Sequence, residues 1–200
     1  MQNKKITIIT VCYNAVESIE GTILSVLNQT HPNIEYIIID GGSTDGTVEI
    51  IKKYSDRITF WVSEPDNGIY DAMNKGVRIA TGDYINFMNA GDNFIENDVL
   101  SKIEPFLMLN PTVAFGSVYS VDATGNGIEM KPVPFYEQLK KLKDPGICHQ
   151  GTFVRSSFLK LYGFDTKYSI AADYNLLKIL YEKGEKFLGM PICIARYDTT

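Results

Sequence analysis

An α/β fold built on a largely parallel sheet is predicted by two features of this 200-residue sequence. Short apolar runs rich in β-branched residues recur along its first half, and segments with helical spacing separate them. Strands joined by helices of that length imply right-handed crossovers between parallel neighbours.

Residues 6–11 (ITIITV) form the first buried strand. Residues 16–29 follow as a helix whose inner stripe is Ile19, Ile23, Val26 and Leu27, and His31-Pro32 ends it. Residues 34–40 (IEYIIID) form the second strand and 41–46 (GGSTDG) the turn after it, with Ser43 or Thr44 capping a helix that runs to about Tyr54. Residues 58–62 and 84–88 are the third and fourth strands. Between them, residues 68–80 carry Ile69, Met73, Val77 and Ala80 at helical spacing. The second half is less regular. A helix over 98–109 stops near Pro111, and strands over 113–121 and 128–133 flank a turn-rich segment, which suggests a hairpin-like insertion. A short strand over 152–154, a helix over 171–181 with Leu176, Leu177 and Leu180 inward, and a strand-like run at 192–197 complete the chain. No repeat or linker interrupts it, so one domain over 1–200 is expected.

Hydrophobic residues at 44% and charged residues at 22% are globular values, and a formal net charge of -5 argues against a nucleic-acid partner, which needs a basic face. The cysteines Cys12, Cys148 and Cys193 lie far apart, which fits a reducing compartment and excludes a cysteine-rich zinc site. The N-terminal apolar run is too short for a signal peptide or a membrane span, so the expected location is cytoplasmic.

Several chemistries are excluded by missing motifs. GGSTDG does not fit the dinucleotide fingerprint, and neither a P-loop nor a G-x-S-x-G elbow occurs. Two histidines, His31 and His149, are too few for a histidine-rich metal site. What remains is a set of carboxylates at element ends: Asp40 after the second strand, Asp92 after the fourth, and Asp173 at the start of the late helix. Ligands of open α/β sheets gather at that edge. One carboxylate there can accept from a nucleobase imide or ribose, a second can hold Mg²⁺ or Mn²⁺ at a diphosphate, and a third can take a proton from an attacking hydroxyl. Together those tasks describe sugar transfer from a nucleotide-diphosphate donor. Each residue also has a structural alternative. Asp92 can open a turn, Asp40 can end a strand, Asp173 can favour a helix dipole, Lys75 can be a solvated surface charge, and His149 can be a satisfied core histidine.

Three segments carry a family resemblance: ITIITVCYNAVESIEGTILSVLNQTHPNIEYIIIDGGSTDGT, DNGIYDAMNKGVRIATGDYINFMNAGD and HQGTFVRSSFLKLYGFDTKYSIAADYNLL. In this order and spacing the chain resembles the family 2 glycosyltransferases of the GT-A fold, closest to bacterial members that build O-antigen, capsule or exopolysaccharide. The resemblance implies a mixed, mostly parallel sheet flanked by helices, with a nucleotide-sugar half over about 1–95 and an acceptor half over about 96–200. It implies that the loop containing Thr10, Tyr13 and Asn14 walls the nucleobase and that Asp40 binds the base, as the uracil imide of a UDP-sugar. Asn67 and Lys75 would border the nucleotide, with Lys75 near the pyrophosphate. Asp92 would hold Mg²⁺ or Mn²⁺, Asp173 would be the catalytic base of an inverting transfer, and His149 and Gln150 would lie on the acceptor side.

Two positions depart from the family pattern. Asn89-Ala90-Gly91-Asp92 stands where many relatives have Asp-x-Asp, and Ala172 precedes Asp173 where an acid is common. The acceptor would be a glycan or a lipid-linked glycan, and the basic amphipathic segment 135–143 (FYEQLKKLK) would give peripheral contact with the inner membrane surface. Relatives commonly continue past the point where this chain stops, so the sequence reads as one that could be longer. The rivals are a nucleotidyltransferase, which would need a glycine-rich, basic phosphate loop, and a non-catalytic nucleotide-binding scaffold.

Overall fold

The continuous β-branched runs near the N-terminus become the centre of the sheet. In the computed structural model, which describes residues 3–121, 127–131 and 147–198, β1 (Ile6–Cys12) lies between β2 (Ile34–Asp40) and β4 (Tyr84–Phe87). β3 (Phe60–Ser63) pairs with β2 on the outside, and all these pairings are parallel. The sheet then continues in mixed fashion. β8 (Thr152–Arg155) joins β4 antiparallel and leads to β6 (Val113–Val121), β9 (Phe187–Asp198) and the short β5 (Asn93–Phe94), while β7 (Gly127–Met130) pairs with the far end of β6.

Six helices among the described residues cover the two faces: α1 (Ile19–Leu27), α2 (Thr47–Lys53), α3 (Ile69–Ile79), α4 (Val99–Leu107), α5 (Ser156–Tyr162) and α6 (Ala172–Glu182). Side chains alternate between faces along a strand. Ile6, Ile8, Tyr36 and Ile38 therefore pack with Ile19, Ile23 and Ile103 of α1 and α4. Ile9, Val11, Ile37 and Ile39 pack with Met73, Val77 and Leu176 of α3 and α6. Gly76 lets α3 close onto β1, because a Cβ there would lie 2.7 Å from Ile9 Cγ2.

The elements differ from the sequence expectations where loop contacts or pairing intervene. α1 begins at Ile19 rather than at 16, because the Ala15 N–H donates to Thr47 Oγ1 (2.8 Å) and the Val16 N–H to Asp45 Oδ2 (3.0 Å). Those bonds hold the chain in a turn. α2 is headed by Gly46 rather than by Ser43 or Thr44, and Asp45 Oδ1 accepts from the Thr47 N–H (3.0 Å), while Ser43 is committed to Asp40. α5 and β5 were not legible, and β9 runs well beyond 192–197. β9 contains Gly189 and Pro191, which weaken a strand pattern, yet it pairs with β6 through a register shift. The turn at 122–126, the end of the strand expected over 128–133 and the basic amphipathic segment at 135–143 lie outside the described residues. Among the described residues no helix is long and apolar enough to cross a membrane.

The start of β2 carries a buried carboxylate. Glu35, 5% exposed, accepts from Lys5 Nζ (2.8 Å), Thr7 Oγ1 (2.6 Å), the Thr81 N–H (2.6 Å) and the Thr81 hydroxyl. Burial alone would raise its pKa, but these bonds outweigh it and lower the pKa from 4.5 to about 2. Because the folded value is depressed, the stabilisation is complete above pH 4.5 and is lost as pH falls through about 2. The stability gap between wild type and Glu35→Gln, read from urea midpoints, is expected to narrow steadily across that window. A gap independent of pH would show that the network is not ionic.

Candidate active site

The carboxyl edge of β1, β2 and β4 opens into a cleft of about 370 Å³ whose walls include Tyr13, Asp66, Gly68, Ile69, Asn89 and Ala90. The loop after β1 is fixed by Asn14, which adopts a left-handed conformation (φ 47°). Its N–H donates to Ser43 Oγ (2.7 Å), and its Oδ1 accepts from the Thr44 N–H (3.0 Å). Thr10 is fully buried, donating to the Met88 carbonyl (2.7 Å) and bonding the Tyr36 hydroxyl (3.0 Å). Thr10 and Asn14 thus brace the cleft from behind, and Tyr13, 66% exposed, is the member of that group that lines it.

Asp40 is also fully buried. Its Oδ2 accepts from the Gly42 N–H (3.1 Å), the Ser43 N–H (2.9 Å) and Ser63 Oγ (2.6 Å), while Oδ1 takes Ser43 Oγ (2.5 Å) and Cys12 Sγ (3.4 Å). Burial opposes ionisation, but the Ser43 and Ser63 bonds prevail and hold the carboxyl below the usual carboxylate range. The side chain organises the glycine-rich turn. Asn67 donates to Asp71 Oδ2 through its N–H (3.0 Å) and Nδ2 (3.3 Å). Lys75 Nζ is engaged by Glu64 Oε1 (2.9 Å) and the Pro65 carbonyl (2.8 Å), so it ties α3 to the preceding loop.

The other four expected site residues converge. Asp92, in the turn after β4, accepts at Oδ2 from Gln150 Nε2 (3.1 Å), with His149 Nε2 3.8 Å away. The other imidazole nitrogen, Nδ1, lies 3.4 Å from Asp173 Oδ2 in the first turn of α6. His149 and Gln150 therefore sit on the two carboxylates. Burial would lower the His149 pKa, but bonds and charge from Asp173 and Asp92 outweigh it and raise it above its usual 6.5. Burial would raise Asp173, but His149 and the Tyr70 hydroxyl hold it below its usual range.

Three contributors were not anticipated. Tyr70 donates its hydroxyl to Asp173 Oδ1 (3.0 Å). Asn86 Nδ2 donates to the Gln150 and Thr152 carbonyls (both 2.9 Å), which pins the His149–Gly151 turn to β4. Asn89 Nδ2 lies 3.0 Å from His149 Nε2. The signal available for Asn86 was a lone polar residue within an apolar strand, and Tyr70 had none.

Among the described residues no three His, Cys, Asp or Glu side chains converge as a closed metal cage. The donor set that fits a hard cation is smaller. Beside Asp92, the buried Asn89 Oδ1 has no hydrogen-bond partner. An amide oxygen and one carboxylate suit Mg²⁺ or Mn²⁺ when diphosphate and water complete the shell.

A family model described as Glycosyl transferase family 2 matches residues 7–165. An uncharacterized glycosyltransferase of Mycobacterium tuberculosis is 32% identical over 175 residues, covering 86% of this chain and 67% of that protein. By structure, residues 1–349 of S. aureus TarS in complex with UDP superpose with a TM-score of 0.78 at 18% identity, covering 98% of this chain and 61% of that fragment. The Pyrobaculum calidifontis mannosyltransferase PcManGT, in complex with GDP-Man and Mn²⁺, gives 0.72 at 22% identity and covers 98% of this chain and 57% of the other. The chain thus spans about three fifths of the length of these solved structures, and the likeness to them is one of fold.

Proposed function

This chain belongs to glycosyl transferase family 2, and on that premise we propose that it moves a sugar from a nucleotide-diphosphate donor, a UDP-sugar, to an acceptor hydroxyl with inversion at the anomeric carbon. The observation that carries the reading is the convergence of Asp92 and Asp173 on opposite nitrogens of His149, beside a cleft of nucleotide size. The rival scaffold reading does not account for a histidine held between two acids. The nucleotidyltransferase reading lacks its basic phosphate loop.

The nucleotide occupies the cleft between Tyr13 and the start of α3. Asp173 accepts the proton of the acceptor hydroxyl, oriented for this by Tyr70 on one oxygen and His149 on the other. A single base opposite the leaving group gives in-line displacement and hence inversion, through a transition state of oxocarbenium character. His149, with Nε2 toward Asp92 and Nδ1 toward Asp173, positions the two carboxylates relative to each other. Asp92 with the Asn89 amide oxygen would hold Mg²⁺ or Mn²⁺, whose chemistry is Lewis-acid neutralisation of that diphosphate. The acceptor would be a glycan or lipid-linked glycan of surface polysaccharide synthesis, met at the cytoplasmic face of the membrane.

Calorimetric titration with UDP, with and without Mn²⁺, tests the donor site. Micromolar binding that requires the metal is expected. No binding of UDP, GDP, CDP or dTDP under either condition would refute the reading.

A further inference from the structure

We propose that Asp66, not Asp40, reads the donor base, and that it does so by accepting the imide N–H of a uracil-type pyrimidine. The inference rests on the donor-site reading above and adds the specificity residue that the family match does not identify in this chain.

Asp40 cannot take the role while the turn stands, since both of its oxygens are already bonded inside the protein and the residue is fully buried. Directly after it comes Gly41, where a side chain would have projected. The space is filled from the other side of the cleft. A Cβ on Gly41 would lie 2.6 Å from Asp66 Oδ2 and 3.4 Å from the Tyr13 ring. A carboxylate from the loop before α3 therefore stands in the position of a side chain at 41, next to an exposed aromatic face. The glycine is what admits it.

The Asp66 carboxylate is also oriented. Oδ1 accepts from the Gly68 N–H (2.8 Å), and Oδ2 has no hydrogen bond among the described residues. Asp66 is half-buried and lines the cleft with Tyr13. A planar base stacked on the Tyr13 ring would present its edge to that free oxygen. One acceptor atom suits one edge N–H, which uracil supplies at its imide. Cytosine places a lone pair there, opposed to the carboxylate, and guanine offers two adjacent N–H groups to a carboxylate with one oxygen already committed.

The test compares UDP with its N3-methyl analogue, which keeps ring, ribose and diphosphate but lacks the imide proton. Binding to the full chain would be measured calorimetrically with Mn²⁺ present. Wild type is expected to favour UDP by about 10- to 100-fold, the range for a hydrogen bond to a charged group. Asp66→Asn is expected to reduce that ratio severalfold at an unchanged melting temperature. Gly41→Ala, which displaces the carboxylate tip without removing it, provides a second variant should Asp66→Asn fold poorly, and it too should reduce the ratio. An unchanged ratio in a folded variant of either kind overturns the assignment and leaves the donor site standing. If wild type binds no nucleoside diphosphate at all, the donor reading fails and this inference with it.

Discussion

Replacing Asp173 with Asn is expected to lower kcat by about 10²- to 10⁴-fold, the usual contribution of a general base. Affinity for UDP should stay nearly unchanged, because Asp173 is separate from the Tyr13 and Asp66 walls of the nucleotide cleft. Asn can still accept the Tyr70 hydroxyl bond, so the fold should survive. The variant has a second signature at His149. In the wild type two carboxylates outweigh burial and raise its pKa from 6.5 to about 9. A raised folded pKa means that the pairing stabilises fully below 6.5 and fades as pH rises through about 9. Loss of the Asp173 charge should bring the upper limit of that window down, which an NMR titration of the His149 ring would detect. Wild-type turnover in Asp173→Asn would remove it from the mechanism, whatever the titration showed.

Asp92→Ala is the second large effect. Metal-dependent UDP binding should disappear, because the variant retains only the Asn89 amide oxygen as a protein ligand, too weak a site for a hard cation. It also leaves the buried Gln150 amide without its acceptor, at a cost of about 1–3 kcal/mol in stability. Asp92→Asn separates the two losses. It can restore an acceptor for Gln150 while removing the charge, so stability should recover and metal-dependent binding should not. Retention of Mn²⁺-dependent UDP affinity in both variants would place the metal elsewhere.

The parallel half of the fold was legible because burial on both faces requires unbroken β-branched runs, and 6–11 and 34–40 have them. The start of α1 was not legible. The bonds from Ala15 and Val16 that fix it end on Thr47 and Asp45, about thirty residues away. β5 has two residues and exists by pairing with β9, so it carries no period of its own. α5 is a seven-residue helix, too short for its spacing to stand out.

The site divides in the same way. Which residue types are available, and roughly where in the chain they fall, can be read along the linear chain: carboxylates at the ends of strands and at a helix start, and the His149-Gln150 pair. Tertiary structure decided what each carboxylate faces. Asp40 turned inward to five donors, Lys75 closed on Glu64, and Asp66 moved into the space left by Gly41. Strand runs and helix stripes are local and periodic, so a linear chain displays them. A hydrogen-bond partner is set by which loops meet across the sheet edge, and residues such as Tyr70 and Asp173, 103 positions apart, meet only after the sheet has formed.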